Sequence, residues 1–187
     1  KILNRSFLID NDGNIVSRYD KIHLFDINLS EQQSYCESAT VRGGNDAVLG
    51  QTPFAKMGQT VCYDLRFPNL YRELSQSSAE VLFVPAAFTK KTGEAHWHVL
   101  NRARAIENGA FVVAPCAIGE VEGGGASYGH SLIINPWGEV LADGGVQVGV
   151  VSAVIDLDEV ATARQRIPSL SPDKPFATKQ STGLVAK

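Results

Sequence analysis

Three chemically reactive side chains, Cys62, Asp64 and Arg66, fall within five consecutive residues. A cysteine thiolate is a nucleophile that attacks carbonyl carbons, and the tetrahedral adduct needs positive charge or N–H donors beside its oxyanion. A lone cysteine is more often an inert core residue. Because a carboxylate and a guanidinium follow Cys62 directly, we interpret it as a candidate nucleophile.

Lys21 is the candidate for the positive charge beside such an oxyanion. An isolated lysine is usually a solvated surface residue. Lys21, however, lies in the distinctive segment YDKIHLFD at residues 19–26, and Glu37 lies in YCES at residues 35–38. What favours a catalytic role is the joint pattern of segments 19–26, 35–38 and 62–68 in that order, rather than Lys21 by itself.

Other side chains could bind zinc or serve as a base. The potential zinc ligands are Asp64, His96, His98, Cys116 and His130. His96 and His98 are two residues apart on a predicted helix and so do not share a face, and no CxxC or HExxH spacing occurs. We therefore expect no metal site. A papain-like pair of Cys62 with His23 or His130 is a minority alternative, because no supporting motif surrounds Cys62.

The composition indicates one ordinary globular domain. The chain has 187 residues, of which 44% are hydrophobic and 20% charged, and a formal net charge of −3. Without a basic patch, nucleic acid is not an expected partner. No apolar run reaches the length of a membrane span, so a membrane is not expected either. The three cysteines are few, and their number is odd, so a disulfide framework is not expected. This favours a reducing cytoplasm.

The residues around Cys62 predict a turn from a strand into a helix. Thr60 and Val61 are typical of a strand end, and Pro68 suits the first turn of a helix. The apolar stripe of that helix would be Leu70, Tyr71 and Leu74. Such a turn exposes a nucleophile while both of its flanks stay anchored.

The rest of the chain alternates strands and helices without internal repeats. Predicted strands are 6–9, 15–19, 47–49, 56–61, 81–85, 110–117, 131–135, 140–142 and 148–155. Predicted helices are 68–77, 96–108 and 157–167, with Gly109 ending the second. The expected inward residues of the last two helices are Trp97, Leu100, Ala103, Ile106, Val160, Ala161 and Ala163. Loops are expected at 28–45, 87–94 and 119–125, the last without the spacing of a nucleotide site. The fold class is therefore α/β or layered α+β.

Several of these motifs together resemble the nitrilase superfamily of carbon–nitrogen hydrolases, and within it the Nit branch of ω-amidases and deaminated glutathione amidases. The resemblance extends over about residues 6–168. The segments that carry it are 19–26, 35–38, 62–68, 95–100, 102–107, 126–131 and 135–140.

The resemblance implies a four-layer α-β-β-α sandwich that assembles into a homodimer or larger oligomer. It places the nucleophile at Cys62, the catalytic lysine at Lys21, and the glutamate that supports the lysine and the substrate amide at Glu37. We expect the backbone N–H of Tyr63 to join Lys21 at the oxyanion and the thiol pKa of Cys62 to be lowered. No cofactor or metal is implied.

The family's general-base glutamate precedes its lysine, at a position that the resemblance places before Lys1. We therefore expect residues 1–187 to be one domain that is incomplete at its N-terminus, with 168–187 as a C-terminal tail and the base outside the chain. The alternative function is a catalytically inactive module for binding or assembly.

The implied substrate is a small amide with a carboxylate, of the deaminated glutathione or 2-oxo acid ω-amide type. Arg66 either binds that carboxylate with its planar fork or pairs with Asp64 to brace the turn, and both alternatives stay open. Phe88, Trp97 and Tyr128 are candidate walls of the substrate pocket.

Overall fold

The computed structural model describes residues 1–30, 33–121, 125–171 and 173–179. The predicted loop 119–125 and the tail 168–187 thus lie partly outside the described residues. The strands are β1 (Arg5–Ile9), β2 (Ile15–Asp20), β3 (Asp26–Ser30), β4 (Gln33–Cys36), β5 (Val48–Gln51), β6 (Lys56–Gln59), β7 (Val81–Phe83), β8 (Phe111–Ala114), β9 (Ile118–Glu120), β10 (Ala126–Tyr128), β11 (Leu132–Ile134) and β12 (Val140–Asp143). The α-helices are α1 (Pro68–Gln76), α2 (Lys90–Asn108) and α3 (Asp158–Arg166).

A six-stranded sheet forms the centre of the fold, in the order β12-β11-β8-β7-β6-β5. Strand β7 is parallel to both of its neighbours, and the other pairs are antiparallel. The central strands are short apolar runs because the sheet is covered on both faces there. The mixed α/β class predicted from the sequence is confirmed.

Alternate residues of these strands supply two separate apolar clusters, as the two-residue period of a strand requires. Leu82 and Val112 face the helices α1 and α2. Val81 and Phe111 face the other way, where they pack with Val160 of α3. Helix α1 buries Leu70, Tyr71 and Leu74 as predicted. In α3 the predicted inward positions Val160 and Ala163 are buried, whereas Ala161 is exposed.

Helix α2 differs from its prediction in both its start and its buried face. It begins at Lys90, inside the segment predicted as a loop, because the N–H of Gly93 donates to the carbonyl of Thr89 (2.8 Å) and the helix continues from there. Its most buried side chains are Trp97, Asn101, Arg104, Ala105 and Asn108, while Ile106 is half exposed. The N–H groups of Asn101, Arg104 and Asn108 donate to the carbonyls of Trp97, Leu65 and Arg104, while the Oδ1 atoms of the two asparagines have no partner in the described residues. An apolar stripe alone could not locate this face.

Two further segments differ from their predictions. Residues 28–45 were expected to be a loop, but β3 and β4 pair as an antiparallel hairpin that ends at Cys36, directly before Glu37. Residues 148–155 were expected to be a strand, but they have no sheet partner in the described part of the chain, and Val150 is 96% exposed. Alternating valines favour an extended backbone, but a strand also requires a neighbour to hydrogen bond with.

None of the helices within the described ranges is both long enough and apolar enough to cross a lipid bilayer.

Candidate active site

Cys62 lies at the strand-to-helix turn that the sequence predicts. Val61 is still extended, Cys62 itself has a φ of +49°, and a 3-10 helix follows over Cys62–Arg66 and leads into α1. Positive φ is strained for a residue with a side chain, so neighbouring contacts must impose it. The N–H of Cys62 donates to the carbonyl of Pro85 (2.9 Å), and this bond ties the turn to the segment that follows β7.

Lys21 and Glu37 form an ion pair in the wall of the site. Lys21 follows β2 and is only 3% exposed, and its Nζ lies 2.5 Å from Glu37 Oε2. The same oxygen accepts the N–H of Phe25 (2.6 Å), and Oε1 accepts Asn4 Nδ2 (3.1 Å). Burial alone would raise the pKa of Glu37, but these donors outweigh it and hold that pKa below its ordinary value. Glu37 is therefore an ionised residue that positions the ammonium of Lys21.

Cys62, Lys21, Glu37 and Tyr63 all border one cavity of about 580 Å³. The other residues that line it are Asn4, Phe25, Tyr35, Cys36, Val61, Pro85, Ala86, Ala87, Phe88, Thr89 and Thr92. This volume suits a small-molecule ligand. The structure thus brings together every residue that the sequence analysis placed in a catalytic role.

The thiol of Cys62 does not have the lowered pKa that the sequence led us to expect. Burial raises the pKa of Cys62 above its ordinary value, and the opposing effects of the Lys21 charge and of the Ala87 N–H are smaller. The prediction was wrong because it counted the neighbouring cation and left out the loss of water around the sulfur. At neutral pH the resting residue is a thiol, so the site needs a proton acceptor to act.

Two hydrogen-bond donors border the cavity together with Cys62. One is the ammonium of Lys21. The other is the backbone N–H of Tyr63, which donates to no backbone or side-chain acceptor in the described residues. A free N–H directly after a nucleophile at a helix start is a common form of oxyanion donor.

Asp64 has a role that the sequence analysis missed. Its carboxylate is fully buried and accepts the Tyr19 hydroxyl (2.7 Å), the Val61 N–H (2.8 Å), and both the N–H (3.0 Å) and Nδ1 (2.7 Å) of His23. Tyr19 and His23 flank Lys21 at two residues on either side. Asp64 therefore joins the segment that carries Lys21 to the turn that carries Cys62. The sequence did contain a signal for this role. Asp64 is two residues from Cys62, and Tyr19 and His23 are each two residues from Lys21.

Because Asp64 is bound in this way, the expected alternative in which it pairs with Arg66 is wrong. The Arg66 guanidinium instead lies over the rings of Phe88 (5.2 Å) and Tyr63 (5.9 Å) and donates to His96 Nδ1 (3.3 Å). Among the described residues no carboxylate forms an ion pair with Arg66. Arg66 does not line the cavity itself, but the two rings it covers do.

Of the three expected pocket walls, only Phe88 lines the cavity. Trp97 is fully buried behind it, with ring centres 4.9 Å apart, and its Nε1 donates to the His130 carbonyl (2.7 Å). Tyr128 stacks on His130 at 4.5 Å, outside the cavity lining. Long aromatic side chains on neighbouring elements pack on one another, so their distance from Cys62 could not be read from the sequence.

The papain-like alternative is not supported by the geometry. His23 is bound to Asp64 and stacks on Phe67 with ring centres 3.6 Å apart. His130 is bound to Asp143 (2.9 Å). Neither imidazole borders the cavity that contains Cys62.

We expect iodoacetamide to label the exposed Cys36 before Cys62 at neutral pH. The raised pKa keeps Cys62 protonated there, and its labelling rate should rise about tenfold per pH unit until the thiol ionises. In Lys21→Met the rate should fall further at the same pH, because the lysine charge favours the thiolate. Peptide mapping by mass spectrometry measures both rates. Faster labelling of Cys62 than of Cys36 at pH 7 would contradict the raised pKa.

Comparisons with known proteins show what this chain is similar to. A family model described as carbon-nitrogen hydrolase matches residues 1–165. The chain is similar to the deaminated glutathione amidase of Dictyostelium discoideum, with 47% identity over 169 residues, which are 89% of this chain and 58% of that protein. It is also similar to the omega-amidase NIT2 of Homo sapiens, with 37% identity over 168 residues, which are 90% of this chain and 61% of that protein.

The solved structure of the C. elegans NitFhit protein has a similar fold, with a TM-score of 0.86 and 39% identity over 92% of this chain and 42% of that chain. The chain spans 58% and 61% of the lengths of the two curated relatives.

Proposed function

Because the chain belongs to the carbon-nitrogen hydrolase family, we propose that it hydrolyses the amide of a small carboxylate-bearing molecule through a thioester on Cys62. The observation that carries the proposal is the shared cavity, in which the thiol of Cys62 meets the buried ammonium of Lys21. A nucleophile beside a preorganised positive charge, in a cavity of this size, is suited to acyl transfer.

In the proposed first half-reaction the Cys62 sulfur attacks the amide carbon. The carbonyl π electrons move to the oxygen, and the ammonium of Lys21 and the N–H of Tyr63 stabilise this oxyanion. The adduct then collapses, the C–N bond breaks, and the leaving nitrogen takes the proton that the thiol gave up. The products are ammonia and a thioester.

In the second half-reaction water attacks the thioester carbon, releases the carboxylic acid and returns the thiol. Both half-reactions need a proton acceptor. Glu37 is poorly suited to this task, because its oxygens already accept hydrogen bonds and its pKa is lowered. It is also the sole carboxylate among the described residues that line the cavity. We therefore propose that the base is a carboxylate from outside this set of lining residues. Glu37 is assigned to orienting Lys21 and the substrate amide.

The names of the relatives support the proposed substrate class. The proteins that this chain resembles are described as a deaminated glutathione amidase and an omega-amidase. For this chain we propose a terminal amide on a carbon chain that also carries a carboxylate, either deaminated glutathione or a 2-oxo acid ω-amide. Arg66 is the proposed partner of that carboxylate, since it lies over the cavity-lining rings of Phe88 and Tyr63 and its fork-shaped side chain donates only to His96 among the described residues.

The test of the reaction is ammonia release by the purified full-length gene product with each of the two amides, together with the intact mass of that protein during turnover. We expect ammonia from at least one amide and a mass increase that corresponds to the acyl group. Cys62→Ala should abolish both signals, and Cys36→Ala is the matched control because Cys36 borders the same cavity. Ammonia release that persists in Cys62→Ala would refute the proposed mechanism.

Arg66→Lys is expected to raise KM by about tenfold for the carboxylate-bearing amide, because a lysine point charge does not reproduce the bidentate fork. A matched amide that has a methyl group in place of the carboxylate should show little change in KM. Steady-state kinetics with the two substrates measures the difference. Equal changes with both amides would mean that Arg66 acts only by packing on Phe88 and Tyr63.

We also propose a cytoplasmic homo-oligomer, the assembly that the family resemblance implies. The three free cysteines are compatible with a reducing compartment.

A further inference from the structure

A group of three side chains outside the cavity has the composition of a metal site. His98 lies on α2, His130 in the turn between β10 and β11, and Asp143 at the end of β12. One potential ligand atom from each residue lies within 4.8 Å of the other two. The sequence analysis rejected zinc because His96 and His98 do not share a helix face. The fold instead joins His98 to two residues that are distant in sequence.

The carboxylate of Asp143 is where the two imidazoles converge. His98 Nε2 lies 3.0 Å from Oδ2, and His130 Nδ1 lies 2.9 Å from Oδ1 and 3.0 Å from Oδ2. The two imidazole rings are 5.1 Å apart at an interplanar angle of 70°. Ligand atoms around a tetrahedral zinc ion are about 3.3 Å apart, as bonds of about 2.0–2.2 Å require. Small side-chain adjustments would therefore suffice to admit an ion.

The surroundings hold these ligands in place, as metal sites require. The N–H of Gly145 donates to Asp143 Oδ1 (2.8 Å), which orients the carboxylate. Trp97 Nε1 donates to the carbonyl of His130, and the Tyr128 ring stacks on the His130 imidazole. The three side chains are about one quarter to one third exposed, which leaves room for water as a further ligand.

We propose that His98, His130 and Asp143 bind one divalent transition-metal ion, with zinc as the best-fitting candidate. Two histidines and one carboxylate are a recurrent ligand set for zinc and for iron(II). None of the three residues lines the cavity of Cys62. The ion would be structural, and it would link α2, the turn before β11 and β12.

The test titrates Zn²⁺ and Co²⁺ into the untagged, chelator-treated protein by calorimetry and visible absorption. We expect one equivalent to bind and Co²⁺ to give the visible bands of nitrogen and oxygen coordination. His98→Ala and His130→Ala should each weaken binding at least about 100-fold, because each removes a direct ligand and losing a second-layer partner alone costs about 10–100-fold. His96→Ala is the matched control, since His96 is on the same helix and outside the group.

Thermal unfolding gives an independent readout. At about a hundredfold excess of Zn²⁺ over Kd, the Tm of the wild-type protein and of His96→Ala should rise by about 5–10 °C. His98→Ala should show no such rise. Because His98 is partly exposed on a helix surface, we expect this variant to fold, and it therefore tests the proposal even if His130→Ala does not fold. Equal binding by the wild-type protein and His98→Ala, or a sulfur-to-cobalt charge-transfer band, would overturn the proposal. Absence of binding to the wild-type protein would leave only a hydrogen-bonded cluster and would overturn it as well.

Discussion

Replacing Lys21 with methionine is expected to lower the kcat of amide hydrolysis by about 10³-fold or more. Removing a single neutral oxyanion donor costs about 10²–10³-fold in kcat. Lys21 carries a full charge and is almost completely buried, so its contribution to the oxyanion is not screened by water. Methionine reproduces the lysine side chain as far as Cε but lacks the ammonium group and its charge. Initial rates of ammonia release at saturating substrate measure the effect.

The same substitution leaves Glu37 without its cation, and this could lower stability by itself. The double variant Lys21→Met/Glu37→Gln removes both charges of the pair and is the control, because it leaves no unpaired carboxylate at position 37. We expect the double variant to recover stability but not turnover. A single variant that keeps kcat within tenfold of the wild-type value would show that Lys21 does not act at the oxyanion.

Replacing Asp64 with asparagine is expected to lower the free energy of unfolding by about 3 kcal/mol, in the range for breaking a buried charged network. The fully buried carboxylate accepts hydrogen bonds from Tyr19, Val61 and His23. An asparagine amide would place an N–H group against some of these donors. The Tm should fall by about 6–12 °C for a chain of this size. Urea unfolding and thermal scans measure the two quantities.

Asp20→Asn is the matched control for Asp64→Asn. Asp20 is next to Tyr19 in the chain, but its ion pair with Arg5 is on the surface, where ion pairs contribute little. We expect Asp20→Asn to unfold almost as the wild-type protein does. In Asp64→Asn turnover should also fall, since the link between Lys21 and Cys62 is weakened. An Asp64→Asn protein as stable as Asp20→Asn would refute the role of this carboxylate as the link.

Local sequence determined much of the fold and pointed to the candidate reactive residues. The hairpin of β1 and β2, the turn at Cys62 and the helix α1 follow from turn residues, β-branched residues and an apolar stripe, which act between neighbours in the chain. The resemblance of the motifs that contain Lys21, Glu37 and Cys62 to a known family likewise implied one site. The cavity contains all three, because the motifs mark the ends of elements that the fold brings together.

Only the tertiary structure decided how burial shifts the pKa of Cys62 and which residues these side chains contact. The pKa of Cys62 is raised because burial outweighs a nearby charge, and no sequence pattern reports burial of one sulfur atom. The polar face of α2 depends on the Leu65 carbonyl, which accepts Arg104 from 39 residues away. The partners of Asp64 and the group of His98, His130 and Asp143 are also distant in sequence. Such contacts depend on the packing of whole elements, whereas sequence patterns report mainly the preferences of each segment.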